Sequence, residues 1–184
     1  MMRKIFYIVL LYFTSSCSSY KIIDSFLKNE SKDDKRSIYI VSEIAPSSIN
    51  VTGLKGLKST MNKQMFPGSK LVAEDEKIRL YNLYKNNNEV KFWQKRNFKS
   101  NNIQLISGDH KTLERFLSIN VNNKSSVLYM FSKPILTSDK RHLFFYYYKK
   151  TDNDKEYKNS IVVMRKQNGV WQVVEEYDVT YING

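Results

Sequence analysis

Cysteine is almost missing from this chain: of 184 residues, only Cys17 carries a thiol. No disulfide can close within the chain, so its stability has to come from packing. Histidine is nearly as scarce. His110 and His142 are the two present, and neither stands at a metal-ligand spacing from the other or from Cys17. Long hydrophobic runs are missing as well. The longest, residues 5–13, holds nine apolar or aromatic side chains, whereas a membrane-crossing helix needs about 20. No helical span is expected from it. What remains is 41% hydrophobic and 14% aromatic, the composition of a folded domain and not of a disordered chain.

Residues 1–17, MMRKIFYIVLLYFTSSC, follow the order of an export signal: Arg3 and Lys4 form a basic head, residues 5–13 an apolar stretch, and Thr14, Ser15 and Ser16 a run of small residues. Cys17 follows at once. In this placement the segment resembles the precursors of bacterial lipoproteins, and the resemblance implies that Cys17 is acylated and becomes the N-terminus of the exported protein. Thr14 stands where that family usually has Leu, so ordinary signal-peptidase cleavage is the alternative expectation. The resemblance covers residues 1 to about 19 and implies a signal peptide over 1–16; the polar and charged composition that follows reads as a lipidated tether over 17–36, with at most one short helix and only Tyr20, Ile22, Ile23, Phe26 and Leu27 to bury, and residues 37–184 read as a single domain. The resemblance implies a protein of the bacterial cell envelope, exported and held to a membrane through its lipid.

The formal charge is +12, and the excess is concentrated mid-chain, where residues 51–119 hold thirteen basic and six acidic side chains. Residues 44–73 contain no acid at all while carrying Lys55, Lys58, Lys63 and Lys70. Further on, KFWQKRNFK (91–99) sets Phe92, Trp93 and Phe98 among cations that include Lys95 and Arg96. These six basic residues are the candidates for contact with an anionic surface, since each Lys or Arg near an anionic membrane contributes about 1 kcal/mol. Aromatic and basic interleaving also suits nucleic acid, but the export signal argues against that partner. Packing with cation and ring contacts is the expectation for 91–99, in the form of an amphipathic edge strand.

Patterning along the chain predicts an α+β domain. Residues 37–44 (SIYIVSEI) form a β-branched strand, 46–56 a Pro, Ser, Asn and Gly loop, and 71–84 a helix burying Ile78 with Tyr81 and Leu80 with Leu83 and Tyr84. After a short strand at 103–106, Asp109 caps a second helix over 110–120. Everything beyond residue 123 reads as an antiparallel meander broken at Pro134. Within it, HLFFYYYKK places Leu143, Phe145 and Tyr147 on one face and Phe144, Tyr146 and Tyr148 on the other, so this strand is expected at the centre, covered on both sides. Asn168-Gly169 predicts a type I′ hairpin pairing Met164 with Val173. Glu175 interrupts the apolar face of the last strand, and a bulge near Val174 would turn it away from the core.

Catalytic patterns do not hold up. Ser18-x-x-Lys21 and Ser25-x-x-Lys28 match the spacing of a serine nucleophile with its lysine, but the SDN and KTG partner motifs are missing. TDNDKE (151–156) opens like a calcium loop, yet lacks the sixth-position glycine and the distal glutamate. No metal site and no cofactor are expected. The SKPI turn and NGVWQV hairpin look like a recurring ending of uncharacterised secreted bacterial proteins, and the element order is similar to that of the NTF2-like cone. Two or three short helices on an antiparallel C-terminal meander make the expected fold. The expected function is a noncatalytic envelope lipoprotein that binds a protein, an anionic lipid or a glycan. The alternative is a small periplasmic hydrolase or ligand-binding cone using Glu175, Asp109 and His110.

Overall fold

The computed structural model describes residues 19–30, 36–56, 68–87, 90–98, 102–108, 126–151 and 157–179. Its organising strand is β5 (His142–Thr151), where every side chain from His142 to Tyr148 is buried. Alternation divides these residues between two cores, as the pattern predicts: Leu143, Phe145 and Tyr147 enter one and Phe144, Tyr146 and Tyr148 the other. A strand covered on both faces has to lie inside the sheet. The order is β2 (Ile103–Ile106), β1 (Ser37–Val41), β3 (Ser126–Phe131), β5, β6 (Tyr157–Gln167) and β7 (Val170–Asp178), with the two-residue β4 (Ile135–Leu136) also paired to β5. From β3 onward all pairings are antiparallel, whereas β1 runs parallel to both β2 and β3. The fold is a single α+β domain with a mixed sheet.

The hairpin forms as read. Asn168 and Gly169 take φ of 49° and 82°, the positive values a type I′ turn demands, and Met164 faces Val173. A register shift then sets Val163 opposite Glu175 and Val162 opposite Glu176. Val174 is the extra residue of that bulge.

Among the described residues, three helices cover the sheet. α1 (Ser19–Glu30) buries Ile22, Ile23, Phe26 and Leu27, at spacings of three and four that form one helical stripe. Phe26 packs edge-on to Phe131 and Phe145, with ring centroids 6.1 and 5.2 Å away. The polar tether expected over 17–36 is therefore corrected: residues 19–30 belong to the domain core, and the boundary expected at residue 37 does not mark where packing begins. The few apolar residues of that stretch suffice because all of them fall on one face.

On the opposite face lie α2 (Ser47–Lys55) and α3 (Glu74–Tyr84). A loop is the expectation for 46–56, and tertiary contact overrides it. Gly53 lets α2 press onto β6, where an added Cβ would stand 2.6 Å from Ile161 Cγ1, and Asn50 is fully buried with side-chain partners (below) that a loop would not supply. α3 begins at Glu74, three residues later than predicted, and buries Lys77 and Leu80 rather than Ile78 and Leu83, which are exposed. Residues 91–98 form no edge strand. Phe92 makes one antiparallel bridge to Glu43, and Lys95–Asn97 close a 3₁₀ turn. The expected packing is present nonetheless, with Trp93 and Phe98 buried edge-on at 5.9 Å.

Among the described residues, apolar side chains pack on both faces of the sheet. The helix expected over 110–120, with Asp109 and His110, lies outside the described residues, as do Cys17, Lys58, Lys63 and most of the 151–156 loop.

Candidate functional site

At the C-terminal ends of the parallel strands β1 and β3 the chain opens into a cleft of about 150 Å³. Backbone pairing builds it. Ala45 bridges in parallel to Ser132 and its N–H donates to Phe131 O, while Ile44 N–H donates to Lys91 O at 2.8 Å. The break in the ladder at Ser132-Lys133-Pro134 is held by Asn50 from α2: its Oδ1 accepts from Ser132 Oγ at 2.6 Å and Tyr146 N–H at 2.7 Å, and its Nδ2 donates to Lys133 O at 3.1 Å. These bonds fix where Lys91 and Lys133 leave the backbone. Tyr84 and Asn87 from the end of α3, and Ser47 from the start of α2, complete the polar wall; Ile44, Ala45, Pro134 and Ile135 supply the apolar part.

The lining includes two lysines and no acidic residue. α2 also has no acid in its first turn, so its positive dipole end at Ser47 is not neutralised from within the helix. A volume of 150 Å³ is below the ~300 Å³ at which pockets begin to enclose drug-sized ligands. It suits an inorganic anion or the charged tip of a larger molecule.

The basic residues singled out in the sequence lie elsewhere. Lys55 sits over the Tyr81 ring at 4.4 Å. Lys70 is exposed, and its backbone N–H donates to Glu175 Oε1 at 3.0 Å. Lys95 donates its ammonium to Ile103 O, and Arg96 is exposed on the 3₁₀ turn. None of these four lines the cleft. Lys91 and Lys133 were not among the candidates, although both sat in segments already marked, KFWQKRNFK and SKPI. The signal was the break at Pro134, which places Lys133 where the ladder ends.

Of the three groups named for the alternative reading, Asp109 and His110 lie outside the described residues, and Glu175 is engaged structurally. Glu175 also accepts from Ser69 Oγ at 2.5 Å, so its carboxylate clamps the 68–71 loop against β7. His142 is buried and its Nε2 accepts from Arg165 Nε at 3.0 Å; burial first, then the Arg165 charge, hold its pKa below the ordinary imidazole value. No family model, curated protein or solved structure matches this chain. What the site can do rests on its own geometry.

A second polar cluster lies on the face of the sheet that α1 covers. Tyr147 donates its hydroxyl to Glu176 Oε1 at 2.6 Å, Lys158 pairs with the same carboxylate, and Lys149 pairs with Glu30 at 2.8 Å. Burial pushes the Tyr147 hydroxyl far above its usual range, and the Glu176 charge adds to this. Burial acts to raise Glu176 too, but the bonds from Lys158 and Tyr147 outweigh it, leaving the carboxyl below its usual value. Such a pair is a permanent donor with a permanent anion, which fastens β5 to β7 and α1 to β5. Among the described residues no three His, Cys, Asp or Glu side chains come together as a metal site would need.

Proposed function

We propose that this protein is a noncatalytic lipoprotein of the bacterial cell envelope, held to a membrane through Cys17 and binding an anionic partner at its surface. The observation that carries the reading is the direction of α1. Glu30, at its C-terminus, is joined to Lys149 near the end of β5, and Phe26 lies on Phe131 and Phe145. α1 therefore runs alongside β5, and its N-terminus points back toward the end of the sheet that bears the cleft. A lipid carried two residues before Ser19 holds that end toward the bilayer. The noncatalytic part is supported by Glu175, whose carboxylate is occupied by Ser69 and Lys70.

The test is metabolic labelling of the full chain with a fatty acid, in wild type and in Cys17→Ser. Label in the wild type alone is the expected result. Equal labelling of the two, or none in either, removes the anchor and with it this function.

A further inference from the structure

The two edges of the sheet differ. β2 is four residues long, whereas β7 runs for nine, and among the described residues no strand pairs with its outer side. An open edge offers unpaired backbone groups to any extended chain, and proteins blunt it with short strands, charges, prolines or bulges. β7 carries such devices only in its second half, as the bulge at Val174 and then Glu175, Glu176 and Asp178. Its first half, VWQVV (170–174), has no charge and no proline. Within it Val170 and Val173 are 58% and 42% exposed. The hairpin fixes which backbone groups point outward. A two-residue turn aims the Val170 N–H at the Gln167 carbonyl across the pair, and bonding alternates along an antiparallel strand. Val170 and Gln172 therefore face β6, while Trp171 and Val173 present N–H and C=O to the open side, where no described backbone group bonds them.

We propose that two copies of this chain pair through this edge, β7 against β7, antiparallel about a two-fold axis at Gln172. In that register Trp171 of each copy lies opposite Val173 of the other, and each such pair exchanges both of its N–H···O bonds. The stretch is complementary to itself. Trp171 and Val173 stand on the Met164 face of the sheet, and Val170 with Val174 on the other, so apolar side chains meet across the axis on both faces. No charge is set opposite a charge: Glu175 and Glu176 fall beyond the paired stretch, beside the Asn168-Gly169 turn of the second copy. A register shifted toward the C-terminus would bring those acids of both copies into the ladder, and the bulge would break it. Five residues from each copy bury less than the ~1,200 Å² of a standard stable interface. The association is therefore reversible and grows with concentration.

The experiment is sedimentation equilibrium of the purified full chain from about 10 μM to about 1 mM, the range in which so small an interface fills. The mass should rise from one copy toward two. Gln172→Glu sets two carboxylates face to face at the axis and should weaken the dimer up to about fivefold, with added salt restoring it. Val173→Pro removes an N–H that points away from β6, so the hairpin should persist while the dimer is lost. Gln172→Cys in a Cys17→Ser background gives a position-specific readout that does not depend on either. Residues opposite themselves in a non-bonded pair have Cα atoms about 4.5 Å apart, inside the about 4.4–6.8 Å that a disulfide spans, so oxidation with diamide should yield covalent dimer. Val170→Cys, exposed but off the axis, should yield little. A mass that rises equally in wild type, Gln172→Glu and Val173→Pro overturns the proposal, because association then runs through another surface such as the apolar head at 5–13. A single copy at every concentration with no Gln172→Cys crosslink overturns it as well. So does slow amide exchange at Trp171 and Val173 in a chain that stays single, which assigns the edge to another occupant.

Discussion

Asn50 shows how one residue positions both the fold and the cleft. It is fully buried, and its amide meets Ser132, the Tyr146 N–H and the Lys133 carbonyl, which lie 82, 96 and 83 residues away in sequence. Removing it takes the Nδ2 donor from the Lys133 carbonyl and the short amide bond from the Ser132 hydroxyl, and leaves the Tyr146 N–H with Ser132 Oγ, at 2.8 Å, in place of two acceptors. Asn50→Ala is expected to lower the unfolding free energy by about 2–3 kcal/mol, measured by urea denaturation. A loss below a few tenths would show that water replaces the amide. Sequence offered no sign of this role, since an Asn among Pro, Ser and Gly reads as a loop residue, and its partners come from β3 and β5. Lys91 and Lys133 were hidden for the same reason: a lysine's neighbours in space are set by loops that cross.

Among the elements, α3 is tied to the turn before β5 by one carboxylate. Glu76 accepts from Arg79 Nε and Nη2, both at 2.7 Å, and from Ser138 N–H at 2.8 Å and its Oγ at 3.0 Å. The Arg79 hydrogen bonds are the largest cause that holds Glu76 down to about 2, with burial opposing and Ser138 reinforcing. A carboxyl with its folded pKa depressed stabilises the fold above the unfolded value near 4.5, and that contribution is lost as pH falls toward 2. Glu76→Gln is therefore expected to destabilise by about 1–2 kcal/mol near neutral pH and by progressively less as pH falls through about 2, where the wild-type carboxyl is half protonated. Urea titrations across that range check the sign. Element types were legible wherever the periodicity was strong, as in β5 and the hairpin. α2 was not, because a Gly and an Asn inside a helix are tolerated only when a sheet and a buried partner stand against them.

For the whole molecule, the decisive correction concerns α1. A tether contributes nothing to the core, whereas Phe26 lies within 5.2 Å of the Phe145 and Tyr147 rings, and Ile23 and Leu27 beside it are buried. Phe26→Ala should lower global stability by about 3–5 kcal/mol, with circular dichroism and tryptophan fluorescence reporting one shared transition. An unchanged midpoint would return residues 19–30 to the status of a tether. The same packing fixes which end of the sheet the N-terminus of α1 approaches.

By itself, the sequence determined what depends on near neighbours: the two-faced aromatic strand, the Asn-Gly turn, and the place of the bulge at Val174, although the bulge leaves Glu175 on the face it shares with Tyr177 and Val179 and does not turn it out of the core. These follow from periods of two residues and from positive φ at fixed positions, which local chemistry dictates. The tertiary structure alone decided the parallel pairing of β1 with β2 and β3, the helical state of α2, the docking of α1, and the meeting of Lys91 with Lys133 in one cleft. Each of these joins segments tens of residues apart, where the free energy of packing, and not local preference, chooses the partner.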